Sequence, residues 1–195
     1  MLNLKQSIHE KFLFFSKFLK SPGQVGSITP SSPFLAKAMV DAISWDTVCC
    51  AAEFGAGTGA ITKFIHASAQ KKAKVLVFET DGQMRQRLAQ QYPGFDCHPD
   101  CRDLQRILER ERLGELDCII SGLPFFNFPQ QLRDDIMAQA VASLKEDGLF
   151  VAFQYSQQMK RQLNEQFVIE DIKFVPMNVP PAFVYVCRKK GGASA

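Results

Sequence analysis

The sequence predicts an α/β fold, a seven-stranded and mostly parallel sheet with helices on both faces, and three observations predict it. Short apolar runs alternate with helical segments along most of the chain. The first run opens into a glycine-rich turn with a helical segment directly after it. The last two runs read as an antiparallel pair closing the sheet.

The elements follow in order. At the start, Leu4, Ile8, Phe12, Phe15 and Leu19 share one helical face, with Phe18 beside it and Lys5, Lys11, Lys17 and Lys20 around the flanks. Ser21-Pro22-Gly23 ends this helix. A loop rich in Gly, Ser and Pro leads to a second helix at 34–43, with Ser32 as N-cap and Pro33 at its first position. Strands are expected at 48–54, 74–79 (KVLVFE), 95–97, 116–121 (LDCIIS), 149–155, 167–175 and 182–188. Helices are expected at 61–68, 83–91, 104–112 and 130–144, the last closed by Asp147-Gly148. Two segments result: an amphipathic helix at 1–22 and one domain at 23–190.

Composition sets the class. The 195 residues are 46% hydrophobic and 22% charged, which suits a folded domain rather than a disordered chain. No apolar run reaches the roughly 18–20 residues of a membrane span. A net charge of +3 is mild for a nucleic-acid binder. Of the six cysteines, Cys49, Cys118 and Cys187 lie in apolar runs and are expected to be buried. Cys97 and Cys101 enclose His98, but no second ligand pair follows, so no metal site is expected. A reducing cytoplasm fits this cysteine pattern.

The chemistry concentrates at strand ends. Glu53-Phe54-Gly55-Ala56-Gly57-Thr58-Gly59 stands between a strand and a helix, where glycines let a ligand lie against backbone. No Lys-Ser/Thr follows, which excludes a phosphate-cradling P-loop. Glu79, about twenty residues on and followed by Thr80, can accept both hydroxyls of a ribose. Asp103, just before Leu104, is a candidate for an adenine amino group, with Asp100 as competitor. Ser121-Gly122-Leu123-Pro124-Phe125-Phe126 ends the fourth strand, and its aromatics suit a cationic acceptor. Tyr155 ends the fifth.

An acidic residue followed by Gly-x-Gly-x-Gly is similar to the cofactor loop of class I methyltransferases, whose fold is Rossmann-like. In order along the chain, GQVGSITPSSPFLAKAM, EFGAGTGAIT, FETD and SGLPF resemble the ribosomal RNA adenine dimethyltransferase superfamily, and within it the bacterial phospholipid N-methyltransferases. The resemblance spans about residues 10–188. It implies S-adenosylmethionine as cofactor, with contacts from Gly55, Gly57, Glu79 and Asp103. It also implies a lid from Gln24, Gly26 and Ser27 over the methionine end. Glu53, Ala56, Thr58, Thr80, Leu104 and Ser121 complete the expected cofactor set.

Two departures bear on the acceptor. The RNA enzymes carry Asn-Leu-Pro-Tyr/Phe, and here Gly122 stands in the asparagine position. They also carry a C-terminal RNA-gripping domain, and this chain ends after its last strand. The resemblance therefore implies phosphatidylethanolamine as acceptor, with an RNA or other nucleic-acid adenine, or a catalytically silent membrane-associated protein, as alternatives. Residues 5–20 hold four lysines against one acid, Glu10. Such a helix can lie in an anionic headgroup layer, which predicts a peripheral protein on the inner membrane; its alternative role is to pack on the sheet or over the cofactor. The expected catalytic set is Tyr155, which would orient the amine or relay its proton, with Ser121, Leu123, Pro124 and Phe125; Ser156 is a further hydrogen-bonding candidate, and Tyr185 and Pro180-Pro181 are expected nearby.

Overall fold

The computed structural model describes residues 31–191. The helix expected at 1–22 and the cofactor candidates Gln24, Gly26 and Ser27 lie outside them.

In chain order the elements are α1 (Pro33–Val40), β1 (Cys50–Phe54), α2 (Thr62–Ser68), β2 (Lys74–Phe78), α3 (Gly82–Gln91), β3 (Asp96–His98), α4 (Leu104–Glu111), β4 (Leu116–Ser121), α5 (Gln130–Ser143), β5 (Leu144–Gln154), α6 (Lys160–Gln166), β6 (Phe167–Val175) and β7 (Ala182–Lys189). A 3-10 turn precedes α4 and another follows β4. The seven strands form one sheet in the order β3-β2-β1-β4-β5-β7-β6. Only β7 runs against the rest, pairing antiparallel with both β5 and β6. The expected α/β architecture, a seven-stranded and mostly parallel sheet with helices, is therefore the one observed.

The strands are apolar on successive residues because both sheet faces are covered. One face buries Ala51, Val75, Val77, Cys118, Ile120, Val151 and Val184 against Leu35 and Met39 of α1 and Ile65 of α2. Phe54, Phe78, Phe150 and Tyr185 are buried alternately with them. Phe54 and Phe78 meet edge to face, ring centres 5.6 Å apart. Such a pair adds about 0.5–1.5 kcal/mol beyond its buried area. Ser32 caps α1 as expected: its Oγ accepts from the Leu35 amide at 3.2 Å, and Pro33 opens the helix. Such a cap is worth about 1 kcal/mol.

Three expectations need correction. Asp147-Gly148 does not close α5. Leu144 already pairs with Leu116, so β5 begins there and the turn becomes an irregularity inside the strand, with Asp147 at φ 61°. α6 was not expected; it is polar, and its one buried residue is Leu163. Cys49 is exposed rather than buried, because it precedes β1. Its amide donates to Asp117 Oδ2 at 2.7 Å.

The sheet order reverses between β1 and β4. In open α/β sheets that reversal leaves a crevice at the carboxyl ends of the two strands, where ligands bind. No described helix is long and apolar enough to cross a membrane.

Candidate active site

The glycine turn hangs between two neighbouring strand ends. The Gly55 and Ala56 amides both donate to Phe78 O at the end of β2, at 2.8 and 3.1 Å. On the other side, the Gly122 amide donates to Phe54 O at 2.8 Å. Gly55, Gly57 and Gly59 have φ of 73°, 56° and 86°, a region that side chains oppose. The approach is close as well as strained: a Cβ on Gly55 would lie 2.4 Å from Leu123 Cδ2. At Gly57 the same atom would meet nothing within 4 Å among the described residues.

Glu79 closes the turn from β2. Its Oε2 accepts from the Gly57 amide at 2.7 Å, and its Oε1 from the Asp81 amide at 2.8 Å and the Thr80 hydroxyl at 3.4 Å. A carboxylate offers about four acceptor directions, so one remains for a ligand hydroxyl. Arg85 fixes the chain here by donating to Glu79 O at 2.8 Å. Sequence reasoning missed Arg85; its position one turn into α3 was the available signal.

Glu53 lies beneath the turn and is fully buried. Neither carboxyl oxygen has a partner in hydrogen-bond geometry, and neither has the neighbouring Thr62 hydroxyl. Burial pushes the Glu53 carboxyl up to about 8, with the Thr62 hydroxyl pulling down and the Glu79 charge adding to the rise. An orphaned buried acceptor beside a glycine turn suits a ligand that brings a positive charge.

The two candidate aspartates are now distinguishable. Asp100 is engaged by Arg102, accepting from its amide at 2.9 Å and from its Nε at 3.0 Å. Asp103 is exposed at the start of α4 and makes no side-chain cap. Leu104 is fully buried, so any part it plays in the site is through its backbone.

Across the crevice stands the loop after β4. Ser121 is buried, and its Oγ accepts from the Leu123 amide at 3.3 Å. Leu123 and Pro124 are partly exposed, Leu123 lying against Gly55. Phe125 departs from expectation. It is fully buried, its ring packed near Phe128 and Phe150, so it braces the loop and does not face an acceptor. Tyr185 is likewise a core residue, with an unpartnered hydroxyl.

Tyr155 follows β5 and stays 40% exposed, its ring edge-on to Phe153. Burial pushes its phenol above the ordinary value, and a hydrogen bond with Asn178 opposes that rise. A phenol with a raised pKa is neutral at pH 7, so Tyr155 can hold a substrate by hydrogen bonds but cannot serve as its base. Two buried polar residues that sequence reasoning missed set this region. Gln154 donates to Leu123 O at 3.1 Å, tying β5 to the β4 loop. Asn178 accepts from the Ser32 amide at 2.9 Å and donates to Pro180 O at 2.7 Å, tying the start of α1 to the β6–β7 loop. The signal for Asn178 was its isolation as a lone amide in an apolar loop. Among the described residues no group of three or more His, Cys, Asp or Glu converges on a metal position.

This arrangement has relatives. The chain is 33% identical over 183 residues to an ornithine lipid N-methyltransferase of Singulisphaera acidiphila, covering 91% of this chain and 95% of that one. The chain belongs to that lipid N-methyltransferase family. No protein-family model matches it. Solved structures agree on the fold. A Burkholderia thailandensis 1,6-didemethyltoxoflavin N1-methyltransferase, bound to S-adenosylhomocysteine, superposes at TM-score 0.71 with 17% identity, covering 94% of this chain and 91% of that one. The N-methyltransferase NodS of Bradyrhizobium japonicum, also bound to S-adenosylhomocysteine, gives 0.63 at 12% identity over 82% of this chain and 89% of NodS. Thermus thermophilus TrmN gives 0.62 at 21% identity; it covers 88% of this chain, which spans only 52% of TrmN.

Proposed function

We propose that this chain transfers a methyl group from S-adenosylmethionine to the primary amine of a lipid headgroup at a membrane surface. The observation that carries the reading is its identity, over nearly all of both chains, with an ornithine lipid N-methyltransferase. An ornithine-type aminolipid is therefore the first acceptor to test. Phosphatidylethanolamine is the second, favoured by the SITPSS and SGLPF pattern.

The residues fit the cofactor. Among the described residues nothing crowds Gly57, which leaves room for it against backbone. In this reading Glu79, held by the Gly57 amide, takes the ribose, and the unpartnered Glu53 carboxyl takes the positive methionine end. When bound, the cofactor supplies an electrophilic methyl group on a sulfonium. The protein must present a neutral amine in line with it. An aliphatic amine has an ordinary pKa of about 10, and desolvation at the Leu123, Pro124 and Tyr155 side of the crevice lowers it. The Tyr155 hydroxyl then orients the nitrogen, and positioning supplies much of the acceleration.

Gly122 gives an adenine acceptor no support. A side chain there would place its Cβ 2.8 Å from Gly55 O, so this backbone has no room for the asparagine of the RNA enzymes. Expressing the full chain in a bacterium that makes both lipids, then weighing the lipids by mass spectrometry, tests the reading. Methylated forms of either aminolipid support it; unchanged lipids beside newly methylated RNA overturn it.

A further inference from the structure

Six large hydrophobic side chains are conspicuously exposed among the described residues: Phe34, Tyr155, Val168, Phe174, Met177 and Val179. Singly exposed apolar residues need no explanation, but clustered ones mark an interaction surface. Three of the six, Phe34, Met177 and Val179, belong to segments that Asn178 ties together. Met177 and Val179 flank Asn178, 62% and 72% exposed. Phe34 stands two residues after Ser32, whose amide Asn178 holds. Tyr155 stands just beyond the end of β5, its ring edge-on to Phe153. Phe174 leads into the same loop from the sheet face opposite α1, its ring 5.1 Å from that of Phe183. Phe183 in turn pairs with Gln154 at the carboxyl end of β5, so the cluster borders the acceptor side of the crevice.

We infer that Phe34, Phe174, Met177 and Val179 form a lipid-docking rim that seats the acceptor side of the crevice on a bilayer. The inference rests on the lipid-acceptor reading and adds the surface through which the acceptor is reached. Two observations select lipid over a protein partner. From Phe174 through Cys187 the chain has no charged residue, so the loop offers apolar side chains and prolines with almost nothing to pair. Basic residues stand at its margins: Lys173 precedes Phe174, and Lys37, ion-paired with Asp41, lies one turn beyond Phe34 on the same helix face. Apolar tips framed by lysines match the layering of a headgroup region over acyl chains.

The test uses the full chain with phosphatidylcholine–phosphatidylglycerol vesicles, which carry no primary-amine lipid, so binding is measured without turnover. The double variant Met177→Ser/Val179→Ser is compared with Val168→Ser, an exposed apolar residue at the opposite end of β6 from Phe174. The rim variant should partition about tenfold more weakly to vesicles. Val168→Ser should match the parent, and all three should bind S-adenosylhomocysteine equally. Unchanged partition of the rim variant overturns the inference, as does a parent chain that ignores vesicles. So does a rim variant with parental partition and a clearly lower melting temperature, since the rim would then be covered by protein. Rim-dependent vesicle binding without methylation of any aminolipid would leave the rim standing and defeat the lipid-acceptor reading instead.

Discussion

On the β1–β2 side of the crevice the site is made of backbone and carboxylates; on the β5–β7 side it is made of apolar and aromatic side chains. The first half holds Gly55 and Ala56 on Phe78 O, and Gly57 on Glu79, with Glu53 buried below. The second half presents Tyr155 and a loop with Met177 and Val179 outward, braced by Gln154 and Asn178. A half built from backbone geometry suits a ligand common to many enzymes. A half built from exposed side chains is free to match one class of acceptor.

The comparison is broken most severely at the seam between the halves. Gly122→Asn drives a Cβ against Gly55 O, and the backbone on both sides must move. Overpacking of this kind costs about 1–3 kcal/mol or more, so S-adenosylhomocysteine affinity should fall about a hundredfold in calorimetry. Unaltered affinity would mean that the two loops are not mechanically joined. Next comes Glu79→Gln, which weakens a charge-assisted bond to the Gly57 amide. A drop of about tenfold or more in cofactor affinity is expected, with vesicle binding untouched. Equal loss of both would show that the halves are not separable.

Tyr155→Phe tests the acceptor half alone. Turnover on an aminolipid should fall about tenfold, with parental S-adenosylhomocysteine affinity. Full turnover removes the hydroxyl from the account. The smallest effect concerns Glu53. Folded, its carboxyl keeps a proton up to about pH 8, whereas the ordinary value is 4.5. The folded state thus binds more protons across that window, and its stability declines as pH rises through it. Glu53→Gln should flatten the decline and melt a few degrees above the parent on the alkaline side. Parallel melting curves for the two proteins would show that Glu53 is ionised throughout.

The β1–β2 half of the crevice was legible in the sequence because its signals are local. A strand, three alternate glycines and an acid one strand later are all visible in a short stretch, and Glu53, Gly55, Gly57 and Glu79 stand where spacing put them. The antiparallel β6–β7 pair and the Ser32 cap were legible for the same reason. The acceptor half was not. Asn178 acts on the Ser32 amide 146 residues away, and Gln154 on a carbonyl 31 residues away. Phe125 and Tyr185 looked like pocket aromatics because an apolar run does not say which ring faces the core. The helix α6, with Leu163 as its only buried residue, left too little apolar pattern to find. Leu144 reversed the reading of Asp147-Gly148 through a pairing with Leu116 that no local rule contains.

The most direct measurement offers the full chain three acceptors side by side, with radiolabelled S-adenosylmethionine: ornithine lipid vesicles, phosphatidylethanolamine vesicles and ribosomal RNA. The account predicts label in one or both aminolipids, on nitrogen, and none in RNA. Label in RNA with none in either lipid would contradict it.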